Sequence, residues 1–250
     1  MRTLWMMALL GAGCGDKDDT GDDDSGGNAL GGGVRYPSGE EVMIFTGHGG
    51  ADGDGGAPGS VDLVAAHWES TYGYTIRYKE DLPTEVLKYR AIVMMAPGYY
   101  GGAAPFTKGE VLQLKEMLAQ GSRIIILAES GTCGDAQVNQ LLVDLGSTIS
   151  MNGSGADAAG LFTINSFNFD SQANQGVSEL LMHGPCYIDP GTGGEPLFAD
   201  EDGSVIGAFQ YPGPGGDIVV IGDFRFLDDT GYREEADNAL LADNLVTIAP

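Results

Sequence analysis

Four short segments with continuous apolar centres, Glu41 to Thr46, Ala91 to Met95, Arg123 to Ala128 and Asp217 to Asp223, constrain the fold more than any other feature. Continuous apolar runs of this length, without polar alternation, belong to strands buried on both faces, which is the habit of a parallel sheet. Amphipathic stretches lie between them. Ser60 is placed to cap a helix whose Val61, Val64, Ala65, Trp68 and Tyr72 recur at helical spacing, with Gly73 as its stop. Tyr74 to Tyr78 alternates as a strand, and Asp81 to Tyr89 reads as a short helix. Thr107-x-x-Glu110 is a capping box opening a helix through Val111, Leu114, Lys115 and Leu118 to Gly121. Asp135 to Leu145 is helical again, with Val138, Leu141, Leu142 and Leu145 inward. After Gly146 the pattern changes to short strands, with turns at Asp202-Gly203 and from Tyr211 to Gly216, and Glu234 to Thr247 closes the chain as a helix. The order predicts an α/β domain: a parallel sheet with helices on both faces, extended by antiparallel hairpins in the C-terminal third.

The N-terminus is of a different kind. Arg2 supplies a positive charge, Leu4 to Leu10 a short apolar stretch, and Ala12-Gly13 the small residues before Cys14, the arrangement of a lipoprotein signal peptide over residues 1–13. Bacterial lipoboxes usually carry Leu three residues before the Cys; here that place is Gly11, with Leu10 one step further back. The apolar stretch is too short to span a bilayer. Residues 14–36 follow, rich in Gly and Asp, and read as a disordered acidic tether. The folded domain is expected over residues 37–250, and the chain at the bacterial cell envelope, lipid-anchored through Cys14 on the outer membrane or periplasmic face, or secreted where the lipobox is not used.

With 12 Lys and Arg against 36 Asp and Glu, the net charge is -24, and no cationic cluster exists to neutralise phosphates. Nucleic acid is therefore excluded as a partner. An envelope protein, or a neutral or cationic small ligand, remains compatible with this charge. Once Cys14 is assigned to lipid, Cys133 and Cys186 are left, as a disulfide, as two inert thiols or with one a catalytic thiol.

Three local patterns carry a resemblance. The first is Ile44-Phe45-Thr46-Gly47-His48-Gly49, a strand entering a His-containing glycine loop. The second is Gly121-Ser122-Arg123 through Ala128-Glu129-Ser130-Gly131, followed by Asn139-x-Leu141-Leu142-x-x-Leu145-Gly146. The third is Val219-Val220-Ile221-Gly222-Asp223-Phe224-Arg225-Phe226-Leu227, leading to Asp237-Asn238-x-Leu240-Leu241-x-x-Asn244-Leu245. Together they resemble the class I glutamine amidotransferase-like superfamily, in its non-amidase branches: GIFT-type domains and trehalose-utilisation-like proteins. The resemblance covers roughly Glu41 to Ile248 and implies a flavodoxin-like sheet. Amidotransferases of this superfamily place a nucleophilic Cys in Gly-x-Cys-x-Gly directly after a core strand, with a His-x-Glu late in the chain. Here Glu129 stands at that turn, Cys133 lies four residues later, and no His follows His183. Amidotransferase activity is not expected, because a thiolate needs its base at hydrogen-bond distance.

In open α/β sheets the ligand sits beyond the carboxyl ends of the strands. The loops there carry His48, Tyr99, Glu129, Asp223 and Arg225, the candidate ligand-binding residues. Glu129 is also placed to cap the following helix or to pair with Arg225. Tyr99-Tyr100 could stack on a sugar or cover the core edge. No cofactor is expected, although Asp52 and Asp54, with His48 and Glu129 as further donors, could hold a divalent metal; the plainer reading is a solvated glycine loop. Ser130 lacks the glycine flanks of a hydrolase elbow, and His67 and His183 read as packing residues. The expectation is a non-catalytic domain for ligand binding or protein assembly. The alternative is a metal-assisted hydrolase or carbohydrate-acting enzyme using the same loops.

Overall fold

The computed structural model describes residues 40–51, 60–83, 89–156, 160–234 and 236–248. Cys14, the tether, Asp52 and Asp54 lie outside them. Strands β1 (Glu41–Phe45), β2 (Thr75–Lys79), β3 (Tyr89–Met94) and β4 (Arg123–Leu127) alternate with helices α1 (Asp62–Tyr72), α2 (Lys108–Ala119) and α3 (Ala136–Asp144). There follow β5 (Ser150–Gly155), β6 (Leu161–Ile164), β7 (Ser166–Phe167), β8 (Leu180–His183), β9 (Cys186–Asp189), β10 (Glu195–Ala199), β11 (Val205–Gln210) and β12 (Ile218–Ile221), then α4 (Asp229–Glu234) and α5 (Asn238–Thr247). Among the described residues, no helix is long and apolar enough to cross a membrane.

The main sheet has the order β2-β1-β3-β4-β12-β11-β10-β7. Its first five strands run parallel, in flavodoxin-like order, and β11, β10 and β7 extend it antiparallel. Two small hairpin sheets, β5-β9 and β6-β8, complete the C-terminal extension. The apolar runs split by alternation. Val42, Ile44, Val93, Ile125, Leu127, Val219 and Ile221 face α1 and α5, while Met43, Phe45, Ile92, Ile124, Ile126, Ile218 and Val220 face α2 and α3. A run with no polar residue is what a strand covered on both sides requires.

Local signals act largely as expected. Thr107 and Glu110 form the reciprocal capping box of α2, and Gly73 ends α1 in the left-handed region at φ 71°. Three expectations need correction. Ser60 does not cap α1 itself; its hydroxyl donates to Asp229 Oδ2 at 2.9 Å, and Asp229 Oδ1 accepts from the Leu63 N–H at 3.0 Å, so the cap comes from the far end of the chain. Residues 81–83 are not helical and Tyr89 opens β3, so the short helix expected from Asp81 to Tyr89 is absent at both its described ends. The closing helix expected from Glu234 begins only at Asn238 as α5, after Ala236 at φ 42°, and Glu234 is instead the last residue of a separate short helix, α4.

At the amino ends of β4 and β12 sits a buried ion pair. Arg123 donates through Nε to Asp217 Oδ1 at 2.7 Å and through Nη2 to Oδ2 at 2.9 Å, both side chains being almost fully buried. The remaining Nη1 donates to the Leu245 and Ile248 carbonyls, which α5 leaves without intrahelical partners. Arg90 donates to the Val246 and Thr247 carbonyls from β3. On the outer side, Asp243 of α5 accepts from Trp68 Nε1 and from the Tyr72 hydroxyl of α1. Removing one partner of a buried, fully bonded pair leaves an uncompensated charge, so Arg123→Ala is expected to lower the unfolding free energy by about 3–5 kcal/mol. Urea unfolding measures this; a loss below about 1 kcal/mol would show that the pair does not hold the sheet and α5 together.

Candidate functional site

Leu127 pairs in register with Ile221, so the chain leaves the carboxyl ends of the two central strands side by side. Two residues beyond each lie Glu129 and Asp223. Glu129 is 3% exposed; its Oε2 accepts from Arg225 Nε at 3.1 Å and its Oε1 from the Ser130 hydroxyl at 3.0 Å. Its N–H donates to Thr132 Oγ1, which closes a single 3₁₀ turn over Ser130–Thr132. The turn after β4 therefore holds a carboxylate with both oxygens engaged. Arg225 is 34% exposed, so its guanidinium forms the solvent-facing half of the pair.

Asp223 is fully buried and accepts from the His183 N–H at 2.6 Å and the Arg225 N–H at 2.8 Å. Burial pushes its carboxyl up to about 7 against the pull of these two donors, and the negative charge of Glu129 adds to the rise. Its two backbone donors make Asp223 a tie between the β8 end and the Arg225 loop. Asp228 follows, accepting from the Thr230 and Gly231 N–H groups at the start of α4, and burial raises its carboxyl too. Arg225 and His183 lie close enough to Asp228 to oppose that rise.

Sequence reasoning missed the parts played by His183 and Asp228. His183 reaches the site through β8, part of an antiparallel hairpin with no periodic signature in the sequence. The Asp228-Asp229 pair ahead of Thr230 was a legible helix-start signal that passed unread.

Gly222 makes the arrangement possible. Its N–H donates to the Ile206 carbonyl, its carbonyl accepts from the Cys186 N–H at 2.8 Å, and a Cβ there would lie 2.1 Å from the Cys186 carbonyl oxygen. Only a residue without a side chain lets β9 approach the end of β12 so closely. Cys186 is in turn disulfide-bonded to Cys133, across a sequence separation of 53, and both sulfurs lie near the Glu129 carbonyl oxygen, at 3.1 Å and 3.7 Å. Closing a loop of this length is worth about 4 kcal/mol in the chain-entropy account.

Of the other predicted residues, Tyr99 lies beside this site and His48 is held elsewhere. His48, at φ 57°, stacks on Phe106 with ring centroids 3.9 Å apart, its Nδ1 facing the Ala104 carbonyl at 2.9 Å and its Nε2 facing Glu110 Oε1 at 2.8 Å. Both ring nitrogens are engaged, and the residue clasps the loop ahead of α2. Tyr99 packs edge-on against Phe224 at 5.3 Å and against Tyr100 at 5.0 Å, covering the core edge beside the Asp223 loop, while Tyr100 is exposed. Asp135 caps α3 and accepts from the Ala103 N–H. Among the described residues no group of three or more His, Cys, Asp or Glu side chains is placed to hold a metal ion. Asp52 and Asp54, the metal candidates, fall outside those residues.

No family model matches the chain, and no curated protein matches it. Solved structures do. The mmIFT52 N-terminal domain is similar at a TM-score of 0.63 and 14% identity, over 81% of this chain and 94% of that one. The cytoplasmic protein STM3548 from Salmonella typhimurium matches at 0.59 and 10% identity, over 84% of this chain and 100% of that one. A ThuA-like protein from Bacteroides uniformis matches at 0.51 and 13% identity, over 88% and 95%. At such identities the likeness is one of fold alone, a doubly wound sheet of flavodoxin-like strand order.

The raised Asp223 carboxyl has a consequence for stability. Its folded value lies above the ordinary aspartate value, so between about pH 4 and pH 7 the folded chain keeps a proton that the unfolded chain releases. The stability of the parent relative to Asp223→Asn is therefore expected to fall as pH rises through that window and to level off above it. Urea unfolding of the two proteins from pH 4 to 8 measures the difference; parallel profiles would contradict the raised value.

Proposed function

We propose that this chain is a lipid-anchored protein of the bacterial cell envelope whose amidotransferase-like domain is non-catalytic and serves ligand binding or protein assembly. The observation that carries the reading is Glu129. It occupies the turn where the superfamily's amidotransferases place their thiol, and its carboxylate is committed to Arg225 and Ser130. The disulfide supports the same conclusion, since neither Cys133 nor Cys186 presents a thiolate while bridged. Asp223, which sits beside the pair, is wholly enclosed and out of reach of a substrate. Among the described residues at the carboxyl end of the sheet, the Arg225 guanidinium is partly exposed, Glu129 is bonded to it, Asp228 lies near enough to feel its charge, and Tyr99 packs on the neighbouring Phe224. Carboxylates outnumber the cation there, which suits a neutral or cationic polar ligand held by hydrogen bonds and disfavours a polyanion. The anchor rests on the Cys14 signal and the acidic stretch behind it.

Two measurements test this reading. The full chain incubated with glutamine is expected to release no ammonia above buffer, whether oxidised or treated with reductant; thiol-dependent ammonia release would overturn the non-catalytic assignment. Cys14→Ser is expected to move the protein from the membrane fraction to the soluble one, and continued membrane attachment would refute the lipid anchor.

A further inference from the structure

Away from the mouth, helices α2 and α3 lie on the same face of the sheet and leave an open groove between them. It encloses about 310 Å³ and is lined by Phe106, Lys108, Val111, Leu112 and Lys115 on the α2 side and by Asp144 at the end of α3. Lys108, Val111, Leu112 and Lys115 stand at i, i+3, i+4 and i+7, so they form one stripe along α2, cation at each end and apolar between. Val111 turns into the core, but Leu112 is 60% exposed and the fold gives it nothing to pack against within that core. Neither lysine takes part in any ion pair among the described residues. The nearby Glu110 is engaged by His48 and Thr107, and Asp144 accepts from Gln140. On a chain of net charge -24 this is a local inversion: two lysines without anionic partners framing an apolar floor.

We infer that the groove between α2 and α3 is a docking surface for an acidic amphipathic helix of a partner protein. Two considerations select that occupant. The lysines are about 10 Å apart along the helix axis. Two acidic side chains a heptad apart on one helix, with apolar residues at the intervening third and fourth positions, meet both lysines and fill the floor at once. A single anionic headgroup reaches one lysine only, and the groove is open along its length, so an acyl chain laid in it stays half in water. The surface lies outside the Glu129–Arg225 mouth and does not depend on what that mouth binds.

The test uses the full chain and fluorescein-labelled helical peptides carrying the repeat Glu-Ala-Ala-Leu-Leu-Ala-Ala-Glu, or its counterpart with Lys in place of both Glu, read by fluorescence anisotropy. The acidic peptide is expected to bind at least about tenfold more tightly than the basic one, the effect of two partly exposed charge contacts of roughly 0.7 kcal/mol each. The double variant Lys108→Glu with Lys115→Glu is expected to reverse that preference, and Leu112→Asp to weaken binding of the acidic peptide by a similar factor; circular dichroism melts verify that each variant is folded. Absence of binding by the acidic peptide overturns the inference, as does equal affinity for both peptides or a preference that survives the charge reversal. Binding to phosphatidylglycerol vesicles through the same lysines, with none to the peptide, overturns it in favour of a lipid surface.

Discussion

The pairing of β4 with β12 is the interaction on which the rest of the structure depends. Each strand is an unbroken apolar run, and such a run does not by itself specify its register against a neighbour that is equally apolar. Charges at the ends supply that information. Arg123 meets Asp217 where the two strands begin, and Glu129 meets Arg225 just beyond where they end, with the cation on opposite strands at the two positions. A slip of the pairing separates both couples and leaves at least the buried one uncompensated, a penalty several times that of a misplaced aliphatic side chain. Because Arg123 also donates to the last carbonyls of α5, the same contact fixes the closing helix over the sheet.

The carboxyl end of this pair is a set of mutual constraints. Gly222 lets β9 approach, Cys186 on β9 is bridged to Cys133, and Cys133 follows the turn that carries Glu129. Asp223 ties the Arg225 loop to β8 through two backbone N–H groups. Both carboxylate oxygens of Glu129 and both of Asp223 have partners within the fold, and of the Glu129–Arg225 pair it is Arg225 that extends appreciably toward solvent.

Much of the architecture was legible because it rests on short-range signals. The apolar runs, the Thr107–Glu110 box and the Gly73 stop each carry their physical cause within a few residues, and the parallel sheet follows from them. The Glu129–Arg225 pair was also within reach, since both residues follow core strands. What could not be read depends on partners distant in sequence. Asp229 caps α1 from more than 160 residues away, a substitute for the local Ser60 that no window can contain. The break between α4 and α5 turns on Ala236 adopting a left-handed φ, which alanine composition argues against. His183 enters the site because the β6-β8 hairpin folds back on the sheet, and His48 leaves it because Glu110 and Ala104 hold the imidazole against α2.

The carboxylate on the turn after β4 is spent on Arg225. A double-mutant cycle of Glu129→Ala and Arg225→Ala, followed by urea unfolding, measures that commitment directly. A favourable coupling of roughly 1 kcal/mol or more is predicted, allowing for the partial exposure of Arg225. Strictly additive losses would mean that the two residues act independently, and that Glu129 stands available for some other task.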